Sequence, residues 1–236
     1  MRALIFAAGK GERMRPLSLH TPKPLLSVGG KPLIVWQIEK LAAIGVGDIV
    51  INTSWLAAQF PAVLGNGSDF GVHLHYCFEG AEPLETGGGL KKAAAFFEGG
   101  ESFFACNSDV YSEGNLQALY SSHLSSGALA TLAVRQRPSK RRLLFDGEMR
   151  LKGREGEGAG AGLKPFAFSG IQVISPVIFS KMSETGVFSI TGVYLRLASA
   201  GEKINGCEDI SPFWCDIGDL ERLESVRLRA AAVKPF

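Results

Sequence analysis

Residues 3–16 read Ala3-Leu4-Ile5-Phe6-Ala7-Ala8-Gly9-Lys10-Gly11-Glu12-Arg13-Met14-Arg15-Pro16, and 21–25 read Thr21-Pro22-Lys23-Pro24-Leu25. The first six residues are apolar without a break and stop at Gly9, which predicts a short strand buried on both faces of a parallel sheet. Two glycines directly after such a strand, Gly9 and Gly11, let the backbone approach a ligand closely and turn N–H groups towards it, which suits a phosphate. Three cations follow, Arg13, Arg15 and Lys23. Pro22 and Pro24 flank Lys23, and neither can continue a helix or donate a ladder hydrogen bond, so the segment should hold its ammonium stiffly.

Two common phosphate loops do not account for this pattern. A Walker A loop ends in Gly-Lys-Ser/Thr, whereas Gly9-Lys10 runs into Gly11, and the dinucleotide fingerprint needs a third glycine where this chain has Met14. The chain has 236 residues, enough for a substantial core, and reads as one α/β domain over 1–236. Its 25 Lys and Arg against 23 Asp and Glu leave a net charge of +2, too balanced for a protein whose main partner is nucleic acid. Cys77, Cys106, Cys207 and Cys215 form no CxxC pair and are expected to be buried and reduced. The N-terminal apolar run is too short for a signal peptide and no segment approaches a membrane span, so the expected compartment is the cytoplasm.

Further along, apolar positions at Ile34, Val35, Ile38, Leu41 and Ala42 predict a helix over 34–44 that stops at Gly45. Residues 48–53 predict a second buried strand, 55–64 a short helix interrupted by Pro61, and 72–78 an alternating strand carrying His73 and His75. No third ligand lies near those histidines, so they are read as solvated or satisfied, as are His20 and His123. Pro83 to Gly89 breaks the pattern and is expected to precede a helix over 90–97. Three glycines ahead of a helix would present unpaired N–H groups on a flat surface, fit for a base or a phosphate oxygen.

Residues 102–107 form another apolar strand, ending in Asn107-Ser108-Asp109. A carboxylate at the C-terminal end of a central parallel strand stands at the crevice where open α/β sheets bind ligands, which makes Asp109 a candidate magnesium ligand. A helix over 115–122 and a strand over 128–135 follow. The basic run 135–142 lacks interleaved aromatics and is read as a solvated loop. Residues 142–152 predict a hairpin turning at Asp146-Gly147. The glycine-rich 153–162 is read as a mobile loop, whether lid or plain disorder. Gly170 interrupts a strand over 166–174, a place where a ligand often approaches closely. An amphipathic helix over 187–200 precedes Phe213-Trp214-Cys215-Asp216-Ile217-Gly218-Asp219, in which Asp219 is placed to cap a last helix.

Gly-x-Gly-x-Arg-x-x-Pro followed by Pro-Lys-Pro-Leu resembles the signature of the sugar-1-phosphate nucleotidyltransferases. That resemblance implies a Rossmann-like mixed, mainly parallel sheet flanked by helices, the nucleotide-diphospho-sugar transferase type, with a smaller sugar-side excursion at about 137–170. It implies nucleotide binding by Ala8, Gly9, Gly11, Glu12, Arg13, Lys23, Gly88, Gly89 and Asn107. Arg13 and Lys23 would be catalytic, on the leaving phosphates and the α-phosphate. Ser169 and Gly170 would border the sugar, and Asp216 would join Asp109 on Mg2+. Lys152, Arg154 and Lys164 are all open candidates for the sugar phosphate. Ser108 and Asp219 depart from the family's usual Gly or Ala and Thr.

Within the family the motifs look most like members that join UTP to N-acetylmuramate 1-phosphate in cell-wall recycling, with mannose-1-phosphate guanylyltransferases as the alternative. The expected partners are a nucleoside triphosphate and a sugar 1-phosphate, in a monomer or weak homo-oligomer without nucleic acid or membrane. A non-catalytic nucleotide-sugar sensor would not need Asp109 and Asp216. A glycosyltransferase would usually show Asp-x-Asp, whereas Val110 and Tyr111 follow Asp109.

Overall fold

The apolar N-terminal run becomes β1 (Arg2–Phe6) in the computed structural model, which describes residues 1–157 and 162–232. A small hairpin, β2 (Ser27–Val28) and β3 (Lys31–Pro32), leads into α1 (Leu33–Ala42). Then come β4 (Asp48–Thr53), α2 (Gln59–Leu64), β5 (His73–Phe78), α3 (Glu85–Lys92) and β6 (Phe103–Asn107). The middle of the chain holds β7 (Val110–Ser112), α4 (Leu116–Ser126), β8 (Ala130–Arg135) and the hairpin β9 (Leu143–Phe145) with β10 (Leu151–Arg154). The long β11 (Lys164–Ile174), α5 (Ile178–Lys181), α6 (Ile190–Ser199), β12 (Ile204–Glu208), β13 (Trp214–Asp216) and α7 (Leu220–Ala232) complete it.

The order β5-β4-β1-β6 is parallel throughout, and β11 runs antiparallel to β6, with β8 and β12 beyond it. This is a mixed, mainly parallel sheet flanked by helices, as the resemblance implied. Period-two alternation explains why β1 reads as unbroken apolar sequence. Ala3 and Ile5 pack under α1 and α4, while Leu4 packs on the opposite face with Leu90 and Phe97. A third core joins Met14, Trp36 and Tyr111 to Ile217, Leu223 and Val226, so α7 and the turn before it close onto the glycine loop. Met14 is fully buried, worth roughly 1.5–3 kcal/mol relative to exposure. Burying Met14 leaves its neighbour Arg13 on the surface.

Several expectations need correction. The helix expected over 90–97 begins at Glu85, so the three glycines lie inside α3 rather than ahead of it. Their lack of side chains lets α3 press against its neighbours, since a Cβ on Gly87 would overlap the Phe188 ring and one on Gly88 the Gly186 carbonyl. Residues 55–58 form turns and α2 starts only at Gln59, which puts Pro61 in the first helical turn where its missing N–H is harmless. All four cysteines are free, but only Cys106 is buried, the others being half-buried. The hairpin closes as expected, with the Asp146 N–H donating to Arg150 O and the Met149 N–H to Asp146 O. Gly153 and Arg154 belong to β10, and 158–161 of the expected loop lie outside the described residues. Among the described residues, no helix is long and apolar enough to cross a membrane.

Candidate active site

The C-terminal ends of β1, β4 and β6 converge, and two adjoining hollows open there. One, of about 290 Å3, is lined by Ala8, Gly9, Asn52, Glu79, Asn107 and Asp109. The other, of about 560 Å3, is lined by Lys10, Gly11, Glu12, Arg13 and Gly218. Lys23 borders both. The loop between them is built by short-range bonds. Gly11 takes φ 65°, its carbonyl accepts the Met14 N–H at 2.9 Å and the Ser18 hydroxyl at 2.7 Å, and a Cβ at Gly9 would meet only open space.

Asn52 ties the strands together at this edge. Its Oδ1 accepts the Ala7 N–H at 2.6 Å and its Nδ2 donates to the Glu79 carboxylate, which also accepts the Leu84 N–H at 2.7 Å. Burial pushes the Glu79 carboxyl above its usual range, against the pull of those two donors.

The expected metal ligands are brought together by the ribbon β7–β13, where Asp216 pairs in register with Val110 and the Ile217 N–H donates to Asp109 O at 2.8 Å. Helix α1 holds this ribbon, Gln37 Nε2 donating to Val110 O at 2.9 Å and Lys40 Nζ to Ser112 O at 2.7 Å. Burial lowers the Lys40 ammonium to about 8. Lys23 Nζ lies 2.6 Å from Asp109 Oδ2, and Arg222 pairs with Asp216. Two carboxylates from neighbouring backbones fit a hard divalent cation such as magnesium, whose other positions are usually filled by phosphate oxygens and water. No cluster of three or more His, Cys, Asp or Glu occurs among the described residues. Arg13 lies against Gly218, where a Cβ would come within 3.1 Å of its Nη1.

Gly88 and Gly89 are not among the residues lining either hollow, although Gly89 packs against Asn52 and Glu79, which line the first. The Gly87 and Gly88 N–H groups, expected to be unpaired, both donate to Phe188 O, at 2.9 and 3.2 Å, and the α3 residues facing the cleft are Glu85 and Thr86. Ser169 is buried, with its carbonyl accepting Trp214 Nε1 at 2.9 Å. Gly170 takes φ 77° in a bulge of β11, and what approaches it closely is the Asn107 amide. The basic run is not wholly solvated. Arg135 pairs with Asp209 at 3.0 Å and Arg137 stacks on Trp214. Lys152 pairs with Asp146 and Arg154 with Glu157, each at 3.2 Å.

Sequence reasoning missed Asn52, Glu79, Thr86, Arg137 and Arg222. Asn52 carries the signal that found Asp109, a polar residue at the C-terminal end of a buried parallel strand.

The model of the family described as "Nucleotidyl transferase" matches residues 2–143. The chain is 36% identical over 241 residues to the N-acetylmuramate alpha-1-phosphate uridylyltransferase of Neisseria meningitidis serogroup B, covering 99% of this chain and 100% of that protein. It is 36% identical over 132 residues to the mannose-1-phosphate guanylyltransferase of Mycobacterium tuberculosis, covering 56% of this chain and 36% of that one. The inositol-1-phosphate CTP transferase of T. maritima superposes with a TM-score of 0.79 at 20% identity, over 98% of this chain and 94% of the other, a likeness of fold alone.

Proposed function

This chain belongs to the nucleotidyl transferase family as a sugar-1-phosphate nucleotidyltransferase, and from that premise we propose that it joins UTP to N-acetylmuramate 1-phosphate, releasing pyrophosphate. The observation that carries this choice of substrates is the reach of the likeness. The meningococcal uridylyltransferase matches 99% of the chain, against 56% for the mycobacterial guanylyltransferase.

The site chemistry suits that reaction. A phosphate monoester has its second pKa near ~6, so at neutral pH its oxygen is already a nucleophile and needs no general base. Among the described residues, no histidine lines either hollow. An oxygen of the sugar phosphate attacks the α-phosphorus in line. The bond from the α-phosphorus to the bridging oxygen breaks, and pyrophosphate leaves with the electron pair. What remains for the protein is positioning and charge stabilisation. Lys23, at the join of the two hollows, would meet the α-phosphate, and Arg13 the phosphates that leave. Ala8, Gly9 and Asn107 would line the nucleoside, with Gly11 and Glu12 beside the phosphates. Asp109 and Asp216 would hold magnesium, which supplies positive charge between two anionic reactants.

Free cysteines agree with a cytoplasmic setting, and the product fits the reuse of cell-wall sugars. The test is pyrophosphate release with each of four nucleoside triphosphates crossed with a panel of sugar 1-phosphates. The expected best pair is UTP with N-acetylmuramate 1-phosphate. Faster turnover of GTP with mannose 1-phosphate would overturn the choice.

A further inference from the structure

We propose that Arg137 binds an oxyanion of the acceptor sugar, held for that task by Trp214 and the β11 bulge. The idea rests on the function proposed above in requiring an anionic sugar as acceptor. Arg137 lies two residues past the end of β8. Its guanidinium carbon sits 4.1 Å over the Trp214 ring, and its Nη2 donates to Phe168 O at 3.2 Å. The indole is itself fixed, since its Nε1 donates to Ser169 O at 2.9 Å. A guanidinium stacked on a tethered ring and bonded to the next carbonyl has little rotamer freedom left to lose on binding.

Among the described residues, no carboxylate lies within ion-pair distance of this charge. Arg135 has Asp209, Arg142 has Glu155, Arg154 has Glu157 and Arg222 has Asp216. Arg137 has no ion-pair partner among the described residues, and its buried Nε has no hydrogen-bond acceptor. Burial lowers its pKa, with Asp216 the largest opposing influence, so it lies within electrostatic reach of that carboxylate. It opens onto a shallow depression of about 970 Å3 shared with Lys140, Arg142 and Lys164, whose lining contains no acid. Its Nη1 donates only a long 3.4 Å bond to Pro138 O, so a half-buried, oriented guanidinium beside Lys140 and Lys164 keeps donor capacity for an oxyanion. The anion has two possible sources on one acceptor, the 1-phosphate or an acidic substituent of the sugar.

The test is steady-state kinetics of Arg137→Gln in the full chain, with thermal melting as the control for folding. KM for N-acetylmuramate 1-phosphate is expected to rise about ten- to a hundredfold, the loss of a charged hydrogen bond, with KM for UTP changed less than twofold. N-acetylglucosamine 1-phosphate, which lacks the carboxylate, separates the sources. An equal rise on both acceptors assigns the phosphate, and a rise confined to the muramate assigns the acid. Unchanged KM for both acceptors, or an equal rise for UTP and sugar, overturns the proposal. Should Arg137→Gln not fold, Arg137→Lys keeps the charge and loses the fork, and a rise of about fivefold or more is expected. If the wild type turns over neither acceptor, the substrate assignment has failed independently. Quenching of tryptophan emission by N-acetylglucosamine 1-phosphate then decides, with weaker binding by the variant supporting Arg137 and equal binding overturning it.

Discussion

Lys23 Nζ lies 2.6 Å from Asp109 Oδ2, joining the strap that follows the glycine loop to the end of β6 across 86 residues of sequence. The ammonium assigned to a phosphate is thus neutralised by the carboxylate assigned to a metal, and each would exchange partners when the substrates bind. The pair is partly exposed, at 14% and 27%, so it contributes modestly to stability. With the roles proposed above, its weight would fall on the reaction. Lys23→Met is expected to lower kcat by on the order of 10²- to 10³-fold, the usual loss for one preorganised donor. The melting temperature should shift by only a few degrees. Kinetics and thermal denaturation of the same preparation check both, and near-normal turnover would remove Lys23 from the chemistry.

Arg222 pairs with Asp216 and competes for the carboxylate that a divalent cation would need. Both partners are well exposed, and pairs of that kind are worth about 0.2–1 kcal/mol. Arg222→Ala should therefore lower the magnesium concentration for half-maximal activity by about two- to fivefold. Asp216→Asn should raise it strongly, and chelation should abolish turnover of the wild type. A magnesium titration in which both variants track the wild type would separate Asp216 from the metal.

The strands β1, β4 and β6 were legible because parallel strands covered on both faces must be apolar at every position, and a polar residue at their end then marks the crevice. That logic placed Asp109, and applied to Asn52 it would have found a further residue of the same edge. Asp216 was legible through the resemblance, whereas its alignment beside Val110 comes from tertiary structure. Gly87, Gly88 and Gly89 misled because glycine lowers intrinsic helix propensity, while the fold needs a helix here that can approach Phe188 and Glu79 closely. Arg137 misled for another reason. A run of charge looks solvated until Trp214, 77 residues away, supplies a ring to stack on.

His123 on α4 is 2% exposed and bridges Thr131 Oγ1 and Ser102 Oγ, both at 3.0 Å. Burial lowers its pKa from 6.5 to about 4. In the unfolded chain the imidazole takes up a proton near 6.5, and in the folded protein only near 4, so the unfolded state binds more protons between those values. Stability should therefore fall as pH drops from about 6.5 to about 4, by roughly 3 kcal/mol from this group. Urea unfolding of wild type and His123→Gln over that range isolates it. The advantage of the wild type should shrink as pH falls, and parallel curves would show that His123 is not held neutral.

Gly89 lies inside α3, where alanine would ordinarily stabilise a helix by about 1 kcal/mol. A Cβ there would overlap the Glu79 carboxylate and the Asn52 amide, the pair that holds the Ala7 N–H and with it the start of the glycine loop. Overpacking of this kind usually costs about 1–3 kcal/mol, so Gly89→Ala should be destabilising and should also raise KM for UTP. Gly192, in α6, supplies the internal comparison. It is exposed, and a Cβ there would meet nothing within 4 Å, so Gly192→Ala should stabilise by about 0.5–1 kcal/mol and leave KM unchanged. Denaturant unfolding of the two variants checks the opposite signs. If Gly89→Ala gained stability as Gly192→Ala does, α3 would not be pressed against Glu79, and the mechanical link from that helix through Asn52 to the phosphate loop would not exist.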